Sequence, residues 1–368
     1  MARSRLHQLS ELGQSVWIDY LSRDLLHTGE LGRMTRDDAV VGVTSNPTIF
    51  QKAISHGDAY DEQLREVLEE EDDLKEVFLK LAVQDVKEAC DLLRPIWDGG
   101  QGQDGYVSIE VDPNLAYDTE ATIAEAQRLH ELVDRPNCFV KIPATRAGLP
   151  AIEEMIARGR NINVTLTFSL QRYAEVVEAY LRGLERLVES GGDPRRVASV
   201  ASFFVSRVDT EADRRLDEVG APDDLKGKLA IANAKLAYQR YKELFAGARW
   251  EALAAKGARK QRCLWASTST KNPAYRDVLY VEELIGPETV NTMPEETIEA
   301  FQDHGEVALT LERELDVARR VFERVAEAGV DYDDVVAVLE QEGVQKFADS
   351  FSELLEGVRA KRGELVSA

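Results

Sequence analysis

Short runs of β-branched and aromatic residues alternate along this chain with longer stretches of helical periodicity, and the alternation predicts a parallel α/β fold. Eight strands are predicted: Ser15–Tyr20, Val40–Asn46, Tyr106–Asp112, Cys138–Ala144, Asn161–Phe168, Ala198–Val208, Arg262–Thr268 and Val290–Met293. Between them, Thr119–Val133 carries Ile123, Ala126, Leu129, Leu132 and Val133 at helical spacing, with Asp118 placed to cap its start. Val176–Val188, Leu225–Phe245 and the Glu306–Leu355 region read the same way. Eight such units favour a closed (β/α)8 TIM barrel with additional helices over an open sheet. One domain over 1–368 is expected, with helical insertions around 58–97 and 209–261 and a C-terminal helical region at 306–361. No linker rich in Pro, Gly or Ser and no internal repeat divides the chain.

The strands break a rule. Buried parallel strands normally read as continuous hydrophobic runs, and barrel interiors are filled by bulky branched residues. Here one face of several strands is polar. Ile162, Val164 and Leu166 alternate with Asn161, Asn163, Thr165 and Thr167. Val140 and Ile142 alternate with Phe139 and Lys141, and Ile109 and Val111 with Ser108, Glu110 and Asp112. Val16 and Ile18 alternate with Trp17 and Asp19, and the second strand ends in Thr44 and Asn46. Helices cover the apolar outside of a barrel, so the polar face points inward, where it is costly unless its members satisfy one another. An antiparallel sheet with one solvated face would alternate too, but the helices between the strands argue against it. The polar interior reads as a site.

Composition narrows its partners. The 368 residues are 44% hydrophobic and carry a formal net charge of −22. Such a surface suits neither nucleic acid nor an anionic membrane, and an anionic substrate would need local cations. No apolar run approaches the roughly 18 residues of a membrane span. The N-terminal MARSRLHQLSELGQ has no apolar core or cleavage site of a signal peptide. Cys90, Cys138 and Cys263 are far apart and odd in number, which fits a reducing cytoplasm.

Burial disfavours the charged form of an amine, and a neutral lysine amine can attack a ketone to form a Schiff base. That makes Lys141 the candidate nucleophile. Cleavage of the adjacent carbon–carbon bond needs a base, and forming and hydrolysing the iminium needs an acid/base. Asp19 and Glu110 are the available carboxylates. Asn46, Asn163 and Thr165 can hold substrate hydroxyls or a water. Arg207, read as closing the sixth strand, and Lys271, after the seventh, lie where barrel sites assemble and can bind phosphate. Taken alone, Lys141 could be a strand-end lysine reaching solvent, Glu110 and Asp19 its ion-pair partners, and Arg207 and Lys271 surface charges.

Together the segments resemble transaldolases: Val43-Thr44-Ser45-Asn46-Pro47-Thr48-Ile49-Phe50, Val107–Pro113, Phe139–Thr145, Asn161–Ser169 and Ser202-Phe203-Phe204-Val205-Ser206-Arg207. The resemblance implies Lys141 as the Schiff-base lysine, Glu110 as acid/base through a water, Asp19 as acid/base of aldol cleavage, and Thr165 beside them. It implies Asn46, Asn163 and Ser202 as substrate or water ligands and Arg207 as the phosphate arginine. The implied reaction moves a dihydroxyacetone unit from sedoheptulose 7-phosphate to glyceraldehyde 3-phosphate in the pentose phosphate pathway, with no cofactor and no metal, by a monomer or homodimer. The chain departs from the best-known members after the seventh strand. Their Ala-Ser-Phe-Arg-Asn is here Ala266-Ser267-Thr268-Ser269-Thr270-Lys271-Asn272, two residues longer, which is the form of a long subgroup. Ser267 and Lys271 are the candidate ligands from this segment.

Four other readings compete. A metal-dependent aldolase would call on histidine ligands, but His7, His27, His56, His130 and His304 form no H-x-H or HExxH pair. Gly100-x-Gly102-x-x-Gly105 precedes a strand, where a nucleotide fingerprint follows one. A Schiff-base aldolase releasing free dihydroxyacetone shares the lysine. A catalytically dead barrel is disfavoured, since it has no reason to keep a costly polar interior.

Overall fold

Each predicted strand segment forms a strand, and the eight are parallel and close on themselves in sequence order. The computed structural model describes residues 4–55 and 57–367; His56 lies outside the described residues. The strands are β1 (Gln14–Ile18), β2 (Val40–Val43), β3 (Tyr106–Glu110), β4 (Cys138–Pro143), β5 (Ile162–Thr167), β6 (Ser199–Phe204), β7 (Arg262–Ala266) and β8 (Thr289–Met293). β1 closes the barrel against β8, with Val16 opposite Asn291. Among the described residues no helix is long and apolar enough to cross a membrane.

Outward-facing Val16, Ile18, Val140, Ile142, Ile162 and Val164 join the helices in the main hydrophobic core. Inside the barrel a second, separate cluster of Trp17, Tyr106, Phe139, Val200, Leu264 and Val290 fills the end nearest the strand starts. The Tyr106 and Phe139 rings stack at 4.2 Å, and Trp17 lies 6.0 Å from Phe139. Gly42 makes room for this plug: a Cβ there would stand 2.5 Å from the Trp17 ring. Below it, Arg262 pairs with Asp104 at 3.0 Å and donates to Ser15 Oγ at 2.8 Å. The interior therefore holds an apolar plug, closed beneath by this ion pair, and a polar half toward the strand ends.

Several boundaries differ from the sequence reading. β6 stops at Phe204, and the helix Val205–Glu218 begins at once, so Arg207 sits in a first helical turn and does not close a strand. Val205, Val208, Ala212 and Leu216 are its buried positions; their helical spacing overlaps strand alternation in the run Ser202–Val208. β5 carries a bulge, pairing Val164 with Ala201 but Thr167 with Phe203. The extra residue is Leu166, in left-handed conformation at φ 54°, which costs a non-glycine residue about 1–2 kcal/mol. Thr167 therefore leaves the inner face, and Asn161 is also no part of the site. Its amide donates to the Pro136 carbonyl at 2.8 Å and accepts from the Ala198 N–H at 2.9 Å, a clamp between strand starts. Gly100–Gly105 is a turn feeding β3, closed by Gly105 N–H donating to Val41 at 2.7 Å.

Of the added helices, Asp61–Glu70 and Leu74–Gly99 follow β2, and Leu229–Leu244 and Ala248–Ala254 precede β7. The C-terminal part is irregular from Gly305, then forms Leu315–Glu327 and the long Tyr332–Ser367. This last helix packs on the helix Pro47–Ser55, with Thr48 donating to Ser350 at 2.9 Å, and on the helix Leu74–Gly99, with Phe78 against Phe351 at 6.0 Å. Gly343 lets it approach β5, since a Cβ there would meet Leu166 at 2.9 Å. The helix thereby hangs over the C-terminal mouth of the barrel.

Candidate active site

Strand register builds the site. Glu110 on β3 is directly opposite Lys141 on β4, and Lys141 is opposite Asn163 on β5. Adjacent parallel strands in register present one row of side chains, so acid, amine and amide stand side by side on the inner wall. Lys141 is 5% exposed; its Nζ donates to the Ser45 carbonyl at 2.9 Å and lies 3.5 Å from Glu110 Oε1. Asn163 is fully buried and satisfied on both sides: Ser202 donates to its Oδ1 at 2.7 Å, and its Nδ2 donates to Ser108 Oγ at 3.2 Å. Ser45 Oγ donates to the Ser108 carbonyl at 2.9 Å. Ser202, Asn163, Ser108 and Ser45 form a network that fixes the carbonyl holding the amine. In such a network each member is held by its neighbours.

Two carboxylates flank the amine. Asp19 follows β1 directly and accepts from Thr44 Oγ1 at 2.7 Å; Thr44 also meets Thr292 at 2.6 Å. Burial raises the Asp19 carboxyl above the ordinary range, against the opposing pull of Lys141, the Thr44 hydroxyl, Lys271 and Arg207. Glu110 is raised for the same first reason, with Lys141 opposing; its Oε2 is buried with no hydrogen-bond partner among the described residues. Two desolvated acids whose protonated forms are favoured by burial, beside an amine, form an acid/base site.

These residues open into a cavity of about 590 Å³, lined by Asp19, Asn46, Lys141, Asn163, Thr165 and Ser202, and beyond them by Arg207, Ser267 and Lys271. Sequence reasoning named every one of these; Glu110 alone of its candidates lies just behind the lining. Thr165, 1% exposed, faces Pro143 in register. Asn46 has a second duty, since its Oδ1 accepts from the Ile49 N–H at 3.1 Å and caps the helix Pro47–Ser55. Only its amide N–H groups remain for a ligand.

The cavity mouth carries Arg207, Lys271 and Lys346 alongside Glu295 and Glu296. The Arg207 guanidinium lies over Phe204 at 5.0 Å and Phe347 at 5.7 Å. Its Nη1 is buried with no hydrogen-bond partner among the described residues, and burial lowers its pKa. A desolvated, unpaired guanidinium is a receptor for an oxyanion. Ser267, left-handed at φ 55°, accepts from the Ser206 N–H at 3.0 Å, tying the loop after β7 to the helix that carries Arg207. Lys271 in that loop is exposed and donates to Ser269 at 2.8 Å.

The sequence reading missed the roof. Lys346, Phe347 and Ser350 of the C-terminal helix line the cavity, and Lys141 Nζ lies 5.9 Å from the centre of the Phe347 ring. Thr44 was visible in the alternation of the second strand but not as the Asp19 donor. Among the described residues no group of three or more His, Cys, Asp or Glu is arranged to hold a metal ion.

Residues 16–358 match the family described as Transaldolase/Fructose-6-phosphate aldolase. The chain is 55% identical over 361 residues to a protein of Frankia alni named Transaldolase, covering 97% of each. It is 54% identical over 367 residues to a Transaldolase of Acidothermus cellulolyticus, covering 97% of this chain and 99% of that one. A Streptomyces avermitilis protein named Transaldolase 2 is 51% identical over 359 residues, with 97% of this chain and 96% of its own covered.

Proposed function

Because the chain belongs to the transaldolase/fructose-6-phosphate aldolase family, we propose that Lys141, Asp19 and Glu110 are the groups through which it performs the family's chemistry. The chain acts as a transaldolase. It passes a dihydroxyacetone unit from sedoheptulose 7-phosphate to glyceraldehyde 3-phosphate, giving erythrose 4-phosphate and fructose 6-phosphate in the pentose phosphate pathway. The relatives' shared name favours transfer over release of free dihydroxyacetone.

The observation that carries the residue assignment is the in-register row Glu110–Lys141–Asn163, whose amine and amide line a cavity with an arginine free of ion pairs among the described residues at its mouth. The Lys141 amine adds to the C2 ketone of the donor. Glu110 protonates the resulting hydroxyl, which leaves as water, and the iminium forms. Asp19 takes the proton from the C4 hydroxyl; the C3–C4 bond breaks, its electron pair flows into the iminium, and the aldose phosphate departs. The enamine left on Lys141 attacks the acceptor aldehyde while Asp19 returns the proton. Water, activated by Glu110, then hydrolyses the new iminium. Asn46, Asn163, Thr165 and Ser202 orient hydroxyls, and Arg207, aided by Ser267 and Lys271, holds the phosphate. The three cysteines, all free and buried, support a cytoplasmic setting.

Incubation with fructose 6-phosphate followed by borohydride reduction and peptide mass mapping tests the assignment. A single dihydroxyacetone-derived adduct is expected on Lys141, and an adduct on any other lysine overturns it. Arg207→Gln should cost roughly 2–3 kcal/mol of binding to phosphorylated substrates, the value of charge-assisted hydrogen bonds. With glyceraldehyde 3-phosphate as varied acceptor, kcat/KM should fall roughly 30- to 100-fold. With unphosphorylated glyceraldehyde it should barely change, and equal losses for both acceptors would refute the role.

A further inference from the structure

A second cavity, of about 500 Å³, opens at the other end of the barrel, where the loops leading into β3, β4, β5, β6 and β7 meet. It is lined by Arg94, Arg135, Arg160, Arg195, Arg196 and Arg259, with Asp98 the one carboxylate among its lining residues. In a chain of net charge −22, six arginines around one hollow oppose the overall balance.

Three of the six are neutralised locally. Arg94 pairs with Asp98 at 3.0 Å, Arg135 with Asp91 at 2.6 Å and Arg195 with Asp193 at 2.9 Å. The other three are not. Arg196 reaches the already engaged Asp193 only at 3.9 Å, and its side chain is 86% exposed. Arg259 donates to the backbone carbonyls of Gln101 and Gly102 and meets no carboxylate at ion-pair distance among the described residues. Arg160 has no ion pair among the described residues, and its Nε is buried with no hydrogen-bond partner. With no carboxylate beside it, this guanidinium at the wall of the hollow is open to an oxyanion from outside the chain. Gly159, left-handed at φ 75°, sets the turn that presents Arg160. The walls are otherwise fixed and uncharged. The Nε2 of His130 is held by the Asn161 carbonyl at 3.1 Å. Burial first, and Arg160 second, lower its pKa to about 4, so it adds no charge near neutrality. Trp97 supplies an aromatic face, already covered in part by Arg94 at 5.0 Å.

We propose that this hollow is a second anion site, distinct from the catalytic cavity, for a small molecule carrying two or more phosphate groups. Guanidinium groups bind phosphate oxygens in pairs. Three on separate loops, two without a carboxylate partner and Arg196 only loosely held by Asp193, match several phosphates better than one, and the volume is that of an ordinary small-ligand pocket. Because the site lies at the strand starts and the chemistry at the strand ends, occupancy here does not compete with the sugar phosphate.

The test is calorimetric titration of the full chain bearing Arg207→Gln, which removes the catalytic phosphate ligand, with pyrophosphate, ADP and inorganic phosphate at one ionic strength. Pyrophosphate or ADP should bind, and more tightly than inorganic phosphate. Adding Arg160→Gln and Arg196→Gln should weaken that binding about tenfold or more, as loss of two charge-assisted contacts predicts. The same two substitutions in the native chain should leave transfer activity and the melting temperature unchanged. Arg196→Gln alone, at an exposed position, serves as the variant that cannot fail to fold and should weaken binding by itself. ADP exceeding pyrophosphate would identify a nucleotide through stacking on Trp97; equal affinities would identify the phosphates alone as recognised. No binding, affinity matched by inorganic phosphate, or affinity indifferent to both arginines would overturn the proposal.

Discussion

Lys141→Met should lower transfer by roughly 10⁴-fold or more, the scale expected when a covalent nucleophile is lost. Methionine is close in volume and keeps the packing beside Phe347. What disappears is the nitrogen that donates to the Ser45 carbonyl and faces Glu110. Glu110 would then lack its nearest cation. Its carboxyl is already raised by burial, so it takes up a proton in place of standing as a bare buried charge. The variant should therefore keep a cooperative melt and a native circular dichroism spectrum while losing borohydride trapping. Residual transfer above about 1% of the native rate would mean that catalysis does not pass through this amine.

Asp19→Asn should reduce kcat by roughly 10² to 10⁴, the range for a positioned general base. Its pH dependence carries the finer test. The Asp19 carboxyl is raised by burial, and its ionised form must take the C4 hydroxyl proton. Activity should therefore fall on the acid side at a pH above the ordinary carboxylate range. Thr44 donates to Oδ1 at 2.7 Å and favours the ionised form. Thr44→Val removes that support, so the carboxyl pKa rises and the acid limb moves to higher pH. In Asp19→Asn the limb should flatten. A Thr44→Val profile superimposable on the native one would sink the assignment of this limb to Asp19.

The barrel and most of its site were legible because period-two alternation is a local signal. Lys141, Asn163 and Glu110 fall on the inner face by parity alone, and register then lines them up. Parity failed where the backbone broke it. At Leu166 the bulge moves Thr167 out of the interior, and nothing in Leu-Thr-Phe signals a left-handed leucine. It failed again at Arg207, because Ser202–Val208 satisfies strand and helix spacing alike and only the packed structure chooses. Phe347 and Lys346 could not be found from pattern at all. They reach the site from a helix whose placement depends on contacts with the Pro47–Ser55 helix, hundreds of residues away in the chain. Asn46 shows the reverse difficulty: the alternation offers it as a ligand, and only the structure shows that the same side chain also caps the next helix.

The stacked rings of Trp17, Tyr106 and Phe139 turn the barrel into a blind well. Whatever enters must leave by the same doorway, beneath the last helix of the chain. A donor and an acceptor cannot queue at opposite ends, so the aldose released first has to vacate the shaft before its successor descends. The order of events in the catalytic cycle is thus imposed as much by the stopper at the bottom as by the amine halfway down.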